Sequence, residues 1–374
     1  MDIRTFAKRA AFLLAALGVF SFAVSAQSRR VAPTPTPTPD DETVKVDTEE
    51  IKVNLVAFDQ TGAFFPGVTE KDVVITDNDV LHQPTSLRRI PANVLIVMDT
   101  GGELRSVKTL DNVRSAARIV LAALRPEDSV AILQYADKAV ITSEWSTDRA
   151  QTNAAIGRTK FGLRSAFVDA LNLARDFLKS EELENKHIVL ITDGTDSNAD
   201  LSKKNAAMKK LLSTDIAVHV ISYTRMEAID IEPRTKMLSK TPPPKAMPDE
   251  IAAGLPNGAR DIATAPKIGP TINMDRTLLK KMRARKDDLE LSEEMLGELV
   301  TNTNGTLIVP ETLDEIETKA ATIAKMIDAS YVLTYSPKVS LSERGGERKI
   351  TVSSKRAGLI VQAERKFIVP AKKT

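Results

Sequence analysis

Cysteine is absent from the 374 residues. Disulfides, thiolate metal sites, cysteine nucleophiles and a lipid-modified cysteine are therefore excluded. Aromatic residues make up only 4% of the chain, too few for the stacking platforms on which single-stranded nucleic acids bind. Charge of one sign is not in excess: the net charge is +2, so neither nucleic acid nor an acidic partner is indicated. The histidines are His82, His187 and His219, and none stands beside a candidate nucleophile. They read as strand-edge or surface side chains. H-E-x-x-H, G-x-S-x-G and the Walker-type G-x-x-x-x-G-K-[ST] are all missing.

No apolar run reaches the roughly 20 residues that a bilayer span needs. The run Ala10 to Ala23 follows Arg4, Lys8 and Arg9 and precedes the small residues Val24-Ser25-Ala26. That order predicts a signal peptide over 1–26, cut after Ala26, and export to the periplasm or beyond. No stable membrane span remains after cleavage. Residues 27–48 contain "VAPTPTPTPDDE", an extended Thr/Pro linker with nothing to place in a core.

The remainder divides by hydrophobic period. Short β-rich runs, "IKVNLVAFD" and "DVVITD", lie in a flank at 49–90. "ASYVLTYSP", "ERKITVSS" and "GLIVQAERKFIV" lie in a second flank at 329–370. These strands, from both chain ends, are expected to pair into one small β module. Between them, over 91–328, strands and helices alternate. Strands are expected at 94–98, 128–135, 138–144, 187–192, 216–222 and 306–309, and the first helix at about 106–124. Such alternation predicts an α/β fold: a doubly wound, mostly parallel sheet flanked by helices. Residues 224–274 are rich in proline and lack aromatics, and are expected to be a disordered or loosely packed insertion. Trp145 is expected to cover a strand end.

In a doubly wound sheet, ligands bind at the carboxyl ends of the strands. Two apolar strands end there in aspartate: "VLIVMDTGGE" in Asp99, with Glu103 close by, and "VLITDGTD" in Asp193, with Asp196 close by. A hydroxyl at the start of a helix, Ser165 in "GLRSAFVDAL", is expected to join them. An oxygen-rich cluster of this kind suits hard divalent cations.

Those motifs, in that order, resemble the von Willebrand factor type A family over roughly residues 90–330. With its two flanks the chain is similar to the secreted bacterial proteins called VWFA-related. The resemblance implies a Rossmann-like domain that binds a protein partner rather than catalysing a reaction. It further implies a metal-ion-dependent adhesion site holding Mg²⁺, Mn²⁺ or Ca²⁺. Asp99, Glu103, Ser165 and Asp193 would be its ligands, and Gly101, Gly102, Arg164 and Asp196 would lie on its ligand-binding loops. The site departs from the family's D-x-S-x-S: Gly101 and Glu103 stand where the serines would be. Two outcomes follow. Either the three carboxylates hold a cation, since they repel one another without one, or Arg164 or Arg105 neutralises them and the domain is a metal-independent scaffold. Replacing Gly101 and Glu103 together by serine is the direct restoration. A nucleotide-binding reading of "DTGGE" as a D-x-G-G-T phosphate loop fits less well, because helical periodicity follows at once.

Overall fold

The computed structural model describes residues 50–102, 105, 107–179, 183–242, 252–265, 268–339 and 346–369. The expected signal peptide, the Thr/Pro linker and Glu103 lie outside the described residues.

Four strands come first: β1 (Ile51–Phe58), β2 (Val73–Asp77), β3 (Val80–His82) and β4 (Ser86–Arg88). The central sheet follows, made of β5 (Asn93–Asp99), β6 (Ser129–Tyr135), β7 (Ala139–Ser146), β8 (Lys186–Thr192), β9 (Ala217–Ser222) and β12 (Leu307–Ile308). Their order is β12-β9-β8-β5-β6-β7, with every pair parallel except β6 and β7. β8 and β9 are buried at every position, as strands covered on both faces must be. β7, at the antiparallel edge, is mostly half-exposed.

Helices cover both faces. On one, α1 (Leu110–Ala123) and α8 (Leu313–Asp328) pack Val113, Val120, Ile316 and Ile323 onto Val94, Ile96 and Ile191. On the other, α3 (Phe167–Phe177), α4 (Leu201–Leu212) and the end of α7 (Arg276–Asn302) pack Phe167, Leu171, Leu211, Leu296 and Leu299 onto Leu95, Val97 and Leu190. α2 (Arg149–Arg158) follows β7, and Trp145 stacks on Phe177 with ring centroids 5.1 Å apart. α1 starts later than the expected 106. Thr109 is its N-cap, its Oγ1 accepting the Asn112 amide at 3.2 Å, so Lys108 lies before the helix.

The strands of the two chain ends pair with each other. β1 lies between β13 (Ser330–Tyr335) and β15 (Ile360–Gln362), with Ile51 opposite Tyr335 and Val56 opposite Gln362. β2 pairs with β14 (Gly346–Ser354), Ile75 opposite Val352. The expected last strand is two. It breaks at Ala363 into β15, in the sheet β15-β1-β13-β4, and β16 (Glu364–Val369), in the sheet β16-β14-β2-β3. Both sheets contribute to one apolar cluster, including Val53, Leu55, Ile75, Leu333 and Ile350. The buried Arg365 guanidinium donates to the carbonyls of Ile216 and Thr214 and so ties this module to the central domain.

Two expectations are corrected. The proline-rich insertion is partly built into the fold. α5 (Thr224–Ile231) buries Met226 and Ile231, Ile231 packing on Met282 and Leu289 of α7. A short ribbon pairs β10 (Leu238–Ser239) with β11 (Thr271–Ile272), and α6 spans Asn257–Thr264. Aliphatic side chains on a distant helix supply the partners that the insertion's own composition lacks. Of the histidines, expected at strand edges or on the surface, His82 does lie on the edge strand β3, but all three are buried. His187 and His219 sit inside β8 and β9, where both sheet faces are interior.

Candidate functional site

β5 and β8 are adjacent, and the chain departs from them in opposite directions across the sheet. Their carboxyl ends therefore flank the topological switch point. Asp99 closes β5 and Asp193 follows β8. The structure brings these two expected residues together, through a group that was not expected. Lys108 Nζ donates to Asp99 Oδ2 at 2.6 Å and lies 2.8 Å from Asp193 Oδ2, and all three side chains are 0% exposed.

The remaining carboxylate oxygen positions are also engaged. Asp99 Oδ1 accepts the Gly101 amide, and Oδ2 also accepts Thr192 Oγ1. Thr192 Oγ1 in turn takes a hydrogen bond from the Tyr135 hydroxyl, 2.6 Å away. Asp193 Oδ1 accepts the Thr195 amide and hydroxyl at 3.0 and 2.6 Å. Its Oδ2 also accepts Arg285 Nη2 at 3.0 Å. The two carboxyls separate electrostatically. Burial raises Asp99 above the usual carboxylate range, outweighing Lys108. Burial also acts to raise Asp193, but Lys108 and Arg285 together hold it well below that range.

Arg285 reaches the site because α7 is long. Its 27 residues span about 40 Å at 1.5 Å per residue, whereas the seven of β8 span about 23 Å. Its carboxyl half packs on the sheet, Ser292 Oγ donating to the Gly194 carbonyl at 3.2 Å. Its amino half projects past the strand ends. Gly194, with φ +68°, lets this approach happen, since a Cβ there would lie 2.9 Å from Leu296 Cδ1.

Lys108 is placed by its backbone. Glu227 of α5, fully buried, accepts the amides of Val107 and Lys108 at 2.7 and 2.5 Å. Arg105 Nη1 donates to the Lys108 carbonyl at 2.7 Å, with its guanidinium over the Phe161 ring. Glu227→Ala leaves two amides without this acceptor, and each unsatisfied buried group costs about 1–3 kcal/mol. The expected result is a lowered urea midpoint at unchanged slope, with Glu227→Gln, which keeps an acceptor oxygen, falling between it and wild type.

The other expected residues that are described have structural partners. Ser165 Oγ donates to the Thr195 carbonyl at 2.9 Å, which joins its loop to that of Asp193. Asp196 Oδ2 accepts the Val168 amide in the first turn of α3. Gly101 bridges to Gly162, and Gly102 has φ +116°. Arg164 is exposed, its backbone amide bonded to Asp137. The neutralising cation is thus Lys108, assisted by Arg285, and neither Arg164 nor Arg105 bonds to the two aspartates. Among the described residues no three acidic or histidine side chains converge to hold a metal ion. The implied divalent cation does not fit the described residues, because an ammonium group already bridges Asp99 and Asp193.

A comparison with curated proteins finds no match. Among solved structures the chain is similar to an aerotolerance-related membrane protein from Bacteroides fragilis, at 17% identity over 63% of this chain and 98% of that one, with a TM-score of 0.38. It is similar to manganese-loaded TRAP protein from Plasmodium vivax, at 10% identity over 80% and 100% of the two chains, TM-score 0.38. It is also similar to a von Willebrand factor type A protein from Catenulispora acidiphila, at 13% identity over 84% and 73%, TM-score 0.33. The family model for the von Willebrand factor type A domain matches residues 94–195. That interval runs from β5 to the Asp193 loop and contains both strand tips, so it is this part of the chain that matches the von Willebrand factor type A domain.

Proposed function

We propose that the chain is an exported, non-enzymatic protein-interaction module, periplasmic or extracellular, built on a von Willebrand factor type A domain. The observation that carries this reading is the state of the strand edge. Its aspartates are buried and bonded to Lys108 and Arg285 within the chain, so they are spent on holding loops rather than presented to a substrate. The buried His187 and His219 are bonded to each other, away from that edge. Export rests on the basic, apolar and small-residue order of residues 1–26. Among the described residues no helix is long and apolar enough to cross a membrane.

The Lys108 bridge favours the metal-independent form of this reading over one in which a partner's carboxylate completes a metal site. Cross-linking from the exported chain, with and without a chelator, tests it. The expected result is one reproducible partner, competed by unlabelled protein and captured equally in chelator, with Gln27 as the first residue of the exported chain. Capture that vanishes in chelator, or no competable partner under either condition, would count against it.

A further inference from the structure

We propose that Lys108 is a tethered substitute for a metal ion: its ammonium group fills the position between Asp99 and Asp193, and the domain takes up no divalent cation at this edge. The inference rests on side-chain geometry and is independent of which partner the module binds.

Three observations support it. The first is placement. Nζ lies 2.6 and 2.8 Å from one oxygen of each aspartate, at 0% exposure, and a divalent ion could reach those oxygens only by displacing it. The second is the way the lysine is held. Glu227 accepts its amide, Arg105 donates to its carbonyl, and Thr109 caps α1 immediately after it. A chain fixed on both sides of one residue aims that side chain, rather than leaving it to find a counter-ion by chance. The third is charge. Among the described residues the Asp99 and Asp193 pair already faces two cations, Lys108 and Arg285. A divalent cation added to it would bring two uncompensated positive charges into a buried place, where they are most costly.

The replacement alters what the edge does. A metal ion comes and goes with its concentration and can accept a ligand from a partner. An ammonium group on the chain is always present, and this one is wholly enclosed. It keeps the loop before α1, the tips of β5 and β8 and, through Arg285, helix α7 in one arrangement at any divalent concentration.

The test uses the full exported chain. Titration with Mn²⁺, followed by the electron paramagnetic resonance signal of the free ion, is expected to show no binding by wild type. Its melting temperature should not change with Mg²⁺ or chelator, and its intact mass should equal that of the sequence after signal removal. Stoichiometric Mn²⁺ uptake that Asp193→Asn abolishes overturns the proposal. So does a mass lower by one water, the mark of an amide between Lys108 and an aspartate. Lys108→Ala is expected to melt lower and to regain stability saturably with Mn²⁺; a folded Lys108→Ala protein indifferent to Mn²⁺ overturns it. If that variant does not fold even with Mn²⁺, Lys108→Met and Asp99→Asn are compared with their double variant. The double is expected to melt above Lys108→Met alone, because it removes the stranded charge. Strictly additive losses overturn the proposal.

Discussion

Gly101→Ser, alone or with Glu103→Ser, is expected to yield little folded protein, although on paper it restores the serine pattern of an adhesion site. A Cβ on Gly101 would lie 1.9 Å from the Arg164 carbonyl oxygen and 2.8 Å from the Ala136 Cα. Both are backbone atoms, so no rotamer change relieves the contact. The Gly101–Gly162 bridge shows why: the loop after β5 lies directly on the loop that leads into α3. Overpacking a core commonly costs about 1–3 kcal/mol, and a clash between two backbones belongs above that range. Soluble yield and the urea midpoint are the measurements. Gly101→Ser with wild-type stability would show that the two loops separate readily, and the metal question would have to be reopened. The absence of the serine hydroxyl is therefore a packing requirement of this chain, since the space it would need is filled by main chain.

Acid is expected to destabilise the protein well above the pH at which carboxylates titrate. His187 Nε2 lies 2.8 Å from Asn185 Oδ1, and its Nδ1 lies 3.1 Å from His219 Nε2. The Asn185 amide nitrogen donates to the Ile90 carbonyl, which leaves Oδ1 as acceptor. His187 therefore donates through Nε2 and accepts the His219 N–H at Nδ1. Both rings are neutral in this chain of bonds. Burial, with Arg125 adding to it, lowers His187 from 6.5 to about 3. Burial, with His187 adding to it, holds His219 well below its ordinary value. As the pH falls through 6.5 the unfolded chain takes up protons at these positions and the folded chain does not. The unfolded state then gains, and it continues to gain until the folded pKa is reached. Each pH unit in that window costs about 1.4 kcal/mol for His187, about 2 kcal/mol by pH 5, and His219 acts in the same direction. Stabilities of small domains are about 5–15 kcal/mol, which makes this a large share. Melting curves between pH 7.5 and 5 should fall steeply for wild type and more gently for His187→Gln with His219→Gln. Equal slopes for the two proteins would show that other groups carry the acid response.

The sheet was legible because its signal is local. Runs such as Val94–Met98 and Val189–Ile191 are too short and too continuous for amphipathic helices, and the same runs locate Asp99 and Asp193 at their ends. The lysine between them was not legible. Val107, Leu110 and Val113 continue a helical period back past Lys108, which puts that residue on a solvent-facing stripe. Only the Thr109 cap, with its bond to the Asn112 amide, moves the helix start and frees Lys108 to turn inward. Arg285 sits in "RTLLKKMRARKDDLELSEEM", where several cations are equivalent until the helix is docked. The contact of α7 with Gly194 selects the one that faces the site. The histidines were misread for a related reason. Polar residues in strands suggest an exposed face, and β8 and β9 have none.

The pairing of β1 with β13 and β15 bears on the order in which the molecule can assemble. Ile51 is made early, but Tyr335 and Gln362, its strand's partners' residues, come only after the whole helical domain. During synthesis, the first strands must wait with their edges bare. Contacts this distant in sequence close slowly, because the loop must be ordered before the contact forms. The central domain, whose β-α-β units are nearer neighbours, is placed to fold first and to serve as the surface on which the two ends meet. Arg365 would then act as a late latch. A chain halted before β13 should be open to protease at β1 while its central sheet is already resistant.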